Sequence, residues 1–112
     1  MIMVQWSCEV PQENLKDFLK FVNEKLNTFY ESFACKRYEL FLPVETKKQY
    51  FSFQVKPKTN RYIEQLIFDN IEGFENFLEA VEKDPHHKEI VESYIEEFNV
   101  SSCNFTIYTQ II

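Results

Sequence analysis

The chain has 112 residues, room for one domain of the usual ~100–200 residues and not for two. Its 12 Lys and Arg stand against 18 Asp and Glu, a formal charge of −6, which argues against a polyanion-binding surface because nucleic acid selects a net basic footprint. Apolar residues make up 45%, and twelve Phe, six Tyr and one Trp can fill a core, which excludes a disordered chain; the single glycine, Gly73, excludes Gly-rich phosphate cradles, which need several.

From Met1 to Cys8 there is no basic leader, and the apolar residues alternate instead of running together, so no signal peptide is expected. Ile2, Val4, Trp6, Cys8 and Val10 share one face while Met3, Gln5, Ser7 and Glu9 share the other, the period of a strand with one buried face. Pro11 ends it. Between Gln12 and about Ser32, Leu15, Phe18, Leu19, Val22, Leu26, Phe29 and Tyr30 recur in steps of three and four and continue to Phe33, predicting one helix roughly 30 Å long.

Residues 35 to 68 read as extended chain in three runs. The first is Tyr38, Leu40 and Leu42 alternating with Arg37, Glu39 and Phe41, up to Pro43; the second is Phe51, Phe53 and Val55 alternating with Tyr50, Ser52 and Gln54, up to Pro57. The second run is read as an arm or an edge strand, pairing in its own chain or across to a partner. In the third, Ile63, Gln65 and Ile67 alternate with Tyr62, Glu64, Leu66 and Phe68. Asp69 or Asn70 then caps a helix burying Ile71, Phe74, Phe77, Leu78 and Val81. Asp84 and Pro85 open another, which buries Ile90, Val91, Tyr94, Ile95 and Phe98 and stops near Asn99, a residue that tolerates a left-handed cap. A last strand runs from about Cys103 to Ile112, with Cys103, Phe105, Ile107 and Ile111 on one side. The order β-α-β-β-β-α-α-β implies an α+β fold, helices on one face of a mostly antiparallel sheet, in one domain over residues 1–112.

The sheet's second face is assigned Met3, Gln5, Ser7, Glu39, Phe41, Glu64, Leu66, Phe68, Thr106 and Tyr108. That surface is too apolar to stand in water, so a homodimer through the open sheet face is expected. No stretch reaches the ~18 apolar residues of a membrane span. Cys8, Cys35 and Cys103 lack disulfide-framework or zinc spacing, so a reduced cytoplasmic protein with no metal is expected.

The stretch Ile67-Phe68-Asp69-Asn70-Ile71-Glu72-Gly73-Phe74, continuing through Ala80-Val81-Glu82-Lys83-Asp84-Pro85-His86-His87-Lys88, resembles the third strand's end and second helix of the antibiotic-biosynthesis-monooxygenase-like dimeric α+β barrels. Members of that superfamily show a strand ending in an aromatic residue, a helix with an Ala-His pair, and a Pro-His-type dipeptide opening another helix. The resemblance implies a ferredoxin-like antiparallel sheet whose two copies pack face to face as a dimeric α+β barrel. Val81 stands where members carrying the pair have histidine, and Phe68 stands where haem-degrading and quinone-forming branches have tryptophan. Val81 can neither ligate haem iron nor move a proton, so haem degradation is not expected and no cofactor is assigned.

On this reading the ligand pocket lies between sheet and helices, with Trp6, Phe68 and Tyr94 as walls and His86 as the catalytic acid–base group. Glu39 and Glu64, placed together on the barrel-interior face, form a second candidate acid–base pair. From Lys36 to Arg61 there are seven basic and two acidic residues, and from Asp69 to Phe98 ten acidic and two basic, so the basic segment can complement the acidic helices of another chain. The aromatics of the basic segment invite comparison with an RNA-binding sheet, but the glycine-containing RNP1 pattern is absent and no nucleic-acid partner is assigned. The functional expectation is a cofactor-independent oxygenase or isomerase acting on a hydrophobic or aromatic compound; the alternative is a non-catalytic assembly or ligand-sensing module.

Overall fold

The first strand, β1 (Ile2–Glu9), hydrogen-bonds on both sides, which makes it and its neighbour β3 (Arg61–Phe68) the centre of a four-stranded sheet. The edges are β2 (Arg37–Phe41) and β4 (Ser101–Thr109), giving the order β2-β3-β1-β4 with every pairing antiparallel. This is the ferredoxin-like α+β arrangement. The computed structural model describes all residues except Ala34 and Pro57.

The long first helix is not uniform. It opens with a short 3₁₀ turn at Gln12–Asn14, continues as α1 (Leu15–Phe21), widens into a π stretch at Val22–Leu26 and closes as α2 (Asn27–Glu31). The last helical stretch does the same: α4 (His86–Glu92) passes into a π turn at Ser93–Glu97, where the Phe98 N–H reaches back 3.0 Å to the Ser93 carbonyl. The predicted caps are in place. The Asn70 side chain accepts from the Gly73 N–H at 2.8 Å and starts α3 (Ile71–Lys83); Asp84 Oδ1 accepts from the His86 N–H at 2.8 Å and starts α4. Asn99 takes the left-handed conformation, φ 54°, that releases the chain into β4.

The last strand, expected from about Cys103 to Ile112, spans Ser101–Thr109, and Ile71, Val91 and Ile95, assigned to buried helix stripes, are exposed. Two larger expectations need correction. The Tyr50–Val55 alternation forms no strand: the arm between β2 and β3 turns on itself, with the Gln54 N–H on the Phe51 carbonyl at 3.0 Å and Phe51 stacked on Phe53 at 5.2 Å, both exposed. Pro57, read as the end of that run, lies outside the described residues. The second correction concerns the phase of β3. Ile2, Val4 and Cys8 face the helices, and their partners across the ladder are Phe68, Leu66 and Tyr62, so the whole even-numbered set of β3 faces the helices as well. Arg61, Ile63, Gln65 and Ile67 occupy the open face instead. A one-residue change of phase exchanges every side chain of a strand between faces.

The helix-side core has two lobes. One gathers Cys8, Val10, Phe18, Phe21, Val22, Leu26, Tyr62 and Phe98; the other gathers Ile2, Val4, Leu66, Phe68, Phe74, Phe77 and Val81. Trp6, Tyr30 and Tyr38 pack against both. Glu64 lies on β3 between Tyr62 of one lobe and Leu66 of the other, at the seam. The open face presents Met3, Phe41, Ile63, Ile67 and Tyr108 among polar neighbours, with Phe41 and Tyr108 exposed.

Candidate functional site

Glu64 is 4% exposed and is the buried charged side chain of the core among the described residues. Its ladder partners are Trp6 on β1 and Leu40 on β2, so it enters the core flanked by an indole and an aliphatic chain. Two hydroxyls meet it there. Tyr38, one rung away on β2, donates to Oε1 at 3.0 Å, and Tyr94 donates to the same oxygen from above. Tyr94 belongs to the π turn of the last helix, whose wider register aims the side chain down at the sheet. No described residue donates to the second oxygen, Oε2.

Burial disfavours the charged carboxylate, while the two tyrosine hydrogen bonds favour it. Burial prevails and raises the Glu64 pKa from 4.5 to about 7. Burial, reinforced by the Glu64 charge, pushes Tyr30, Tyr38, Tyr62 and Tyr94 above the usual phenol value, so these hydroxyls stay protonated and remain donors. One group of the cluster therefore changes charge near neutral pH. The Tyr62 hydroxyl, in the same core, has no hydrogen-bond partner among the described residues. Rings close the shell: Phe18 lies 4.8 Å from Tyr62 and 5.8 Å from Tyr94, and Tyr30 lies 5.0 Å from Tyr38.

Two grooves open nearby, and Glu64 lines neither of them. One, about 240 Å³, runs between the first helix and β2 and is lined by Leu19, Val22, Asn23, Asn27, Tyr38 and Leu40. Its Tyr38 wall is the residue whose hydroxyl holds Glu64, and Val22 and Asn23 come from the first π stretch. The other, about 550 Å³, lies over Phe33, Phe68 and Phe77, with Lys36, Asp69 and Asn76 at its rim.

Of the residues assigned from the sequence, Trp6 and Tyr94 meet at Glu64. Phe68 lies four residues further along β3, in the second lobe, against Phe74 and Phe77 at 5.3 and 5.0 Å. His86 does not join them. Its side chain is 69% exposed at the start of α4, with Nδ1 3.6 Å from the Glu89 carboxylate. The Glu39–Glu64 pair is a correction: the two occupy opposite faces of the sheet. Glu39 accepts from Arg37 Nε at 2.7 Å and from Gln65 at 3.5 Å, whereas Arg61 turns to Glu9 and Ser7. Sequence reasoning misses Glu64 as the centre of the site because polarity assigns a carboxylate to the outer face. The contrary signal is size: Tyr62, Leu66 and Phe68 outweigh Ile63, Gln65 and Ile67, and the bulkier set belongs in the core. Among the described residues no group of three His, Cys, Asp or Glu is placed to hold a metal, and no helix is long and apolar enough to cross a membrane.

No protein-family model matches the chain, and no curated protein matches its sequence. Solved structures do. An uncharacterized NIPSNAP domain protein from Burkholderia xenovorans superposes with a TM-score of 0.74 at 11% identity, covering 98% of this chain and 94% of that one. SnoaB, a cofactor-independent oxygenase from Streptomyces nogalater, gives 0.63 at 12% identity over 99% and 93%. A dimeric ferredoxin-like protein from an uncultured marine organism gives 0.64 at 14% identity over 99% and 93%. The chain thus has the fold shared by NIPSNAP and antibiotic-biosynthesis-monooxygenase-like proteins, as the strand-end resemblance implied.

Proposed function

We propose that this protein binds a small hydrophobic or aromatic compound between sheet and helices as a homodimer, and that Glu64 is its acid–base group. The observation that carries this reading is the buried Glu64 carboxyl between two tyrosine hydroxyls, with a pKa of about 7. A group poised near the working pH is the efficient one for proton transfer. With Oε1 held by Tyr38 and Tyr94, Oε2 is the oxygen that takes a proton from an acidic C–H or O–H of the ligand, and the protonated carboxyl returns it elsewhere on the same framework. That step is common to an isomerase and to a cofactor-independent oxygenase, the activity named for one structure of similar fold. Trp6 and Phe68 serve as apolar walls, and the acid–base role passes from the solvated His86 to Glu64. The dimer is supported by the apolar content of the open face and by the dimeric protein of similar fold.

The test is native mass spectrometry of freshly purified protein, followed by titration with 2-naphthol, a flat phenol, read by the fluorescence of the single tryptophan, Trp6. A dimer whose 2-naphthol affinity changes with pH around 7, with that change abolished in Glu64→Gln and kept in His86→Ala, supports the reading. An empty dimer that binds no 2-naphthol at any pH refutes it in favour of a non-catalytic assembly module.

A further inference from the structure

Cys8 and Cys103 stand beside each other on neighbouring strands. In the β1–β4 ladder Ser7 faces Asn104 and Glu9 faces Ser101, so the one residue Cys8 is met by two, Ser102 and Cys103, and the strand bulges there. Ser102 absorbs the extra residue with a left-handed φ of 53°. Trp6 and Phe105, paired just beyond the bulge, lie on the helix side with rings 5.0 Å apart, and two residues along each strand Cys8 and Cys103 fall on that same side. Both thiols are free, and the Cys103 thiol points along its own strand to the Ser101 carbonyl at 3.7 Å. Opposed residues of an antiparallel pair hold their Cβ atoms ~4.5–5.5 Å apart, a short step from the ~3.5–4.5 Å of a disulfide, and a bulge supplies backbone slack for it.

We propose that Cys8 and Cys103 form a reversible intramolecular disulfide that ties the edge strand β4 to the centre of the sheet. Cys103 is exposed and Cys8 is 3% exposed, which sets the order of steps. The Cys103 thiolate attacks a low-molecular-weight disulfide such as glutathione disulfide, forming a mixed disulfide and releasing one glutathione thiolate. Cys8 then gives its proton to solvent and attacks the Cys103 sulfur, forming the protein S–S bond and expelling the second glutathione. Two protein thiols are oxidised and one glutathione disulfide is reduced to two glutathiones. Burial keeps the Cys8 thiol protonated and makes it the poorer first nucleophile, so it reacts only in the second step, where the mixed disulfide beside it makes the attack intramolecular. Asn104, Thr106 and Tyr108 are the β4 residues on the open sheet face, so a dimer through that face leaves Cys103 accessible. The bond closes a loop over most of the chain, which restricts the unfolded ensemble strongly.

The experiment incubates the native protein with graded ratios of oxidised to reduced glutathione, quenches with acid, alkylates under denaturing conditions and maps the peptides. The expected product is one chain with a Cys8–Cys103 cross-linked peptide and Cys35 alkylated, melting several degrees higher than the reduced form and returning on addition of reductant. Cys35→Ser should give the same cross-link, and Cys8→Ser should stop at the Cys103 mixed disulfide. Wild-type protein that stops at that mixed disulfide with Cys8 free, joins Cys103 between two chains, or stays fully reduced in excess glutathione disulfide overturns the proposal, and the wild-type map decides this whether or not the variants fold.

Discussion

Replacing Glu64 with Gln keeps the shape of the side chain and a carbonyl oxygen for Tyr38 and Tyr94, while removing the charge. In the wild type the carboxyl titrates near 4.5 when unfolded and at about 7 when folded. Between those values the native state binds more protons than the unfolded state, so stability falls as pH rises through the window. At 1.36 kcal/mol per pH unit the loss is about 3 kcal/mol, complete above about pH 7 and absent below about pH 4.5. The neutral amide of Glu64→Gln carries no such penalty. The variant should match the wild type near pH 4 and exceed it by about 3 kcal/mol at pH 8, a difference of roughly 10–15 °C in melting temperature for a domain of this size.

Urea unfolding followed by the Trp6 signal at half-unit pH steps from 4 to 8 measures this directly. The informative quantity is the variant's stability minus the wild type's, because Glu9, Asp69 and Glu79, whose pKa values are lowered by Lys58, Lys36 and Lys83, lose stabilisation on acidification in both proteins and cancel. A difference that is flat across the range, or that shrinks as pH rises, would show that the carboxyl is not held neutral by burial, and the acid–base role built on it would go too.

Tyr94→Phe removes one of the hydrogen bonds that stabilise the ionised carboxylate, so the Glu64 pKa should rise above about 7, as a carbon-detected NMR titration of its carboxyl would report. Phe18→Ala removes a fully buried ring that touches Tyr62, Tyr94 and Phe98, and should cost about 3–5 kcal/mol in a denaturant titration without moving that pKa by much. Phe41→Glu and Tyr108→Glu together place charge on the open face of the sheet; sedimentation should then give single subunits with an unchanged far-ultraviolet spectrum.

Periodicity carried most of the fold. The strands around Trp6 and Phe105, the helical stripes apart from the exposed Ile71, Val91 and Ile95, the Asn70 and Asp84 caps and the Asn99 turn are local features, and local rules reach them. What failed depended on partners far along the chain. The Phe51–Val55 alternation has the period of a strand but no neighbour to pair with, so its rings stack on each other. The face of β3 is set by its ladder with β1, where Val4 meets Leu66 and Cys8 meets Tyr62. The two π turns left no signature in composition, yet one of them supplies Tyr94 and the other lines the groove beside Tyr38.

The misplaced strand and the candidate site share one physical cause. A carboxylate in an apolar core is costly, and polarity rules therefore assign it to solvent; it can remain inside only where hydroxyls satisfy it. Here Tyr38 and Tyr94 converge from a strand and a helix some 56 residues apart in sequence (94 − 38) to meet it, and the carboxyl still titrates near 7. A leucine at this position would fill the seam between Tyr62 and Leu66 with no carboxyl to desolvate, but it would leave the Tyr38 and Tyr94 hydroxyls without their acceptor in the core. The proposed proton exchange with a ligand draws on the same group, because it needs one that can hold either charge state at neutral pH. The position where the simple inside-outside rule breaks down is thus also the one where the proposed chemistry is placed.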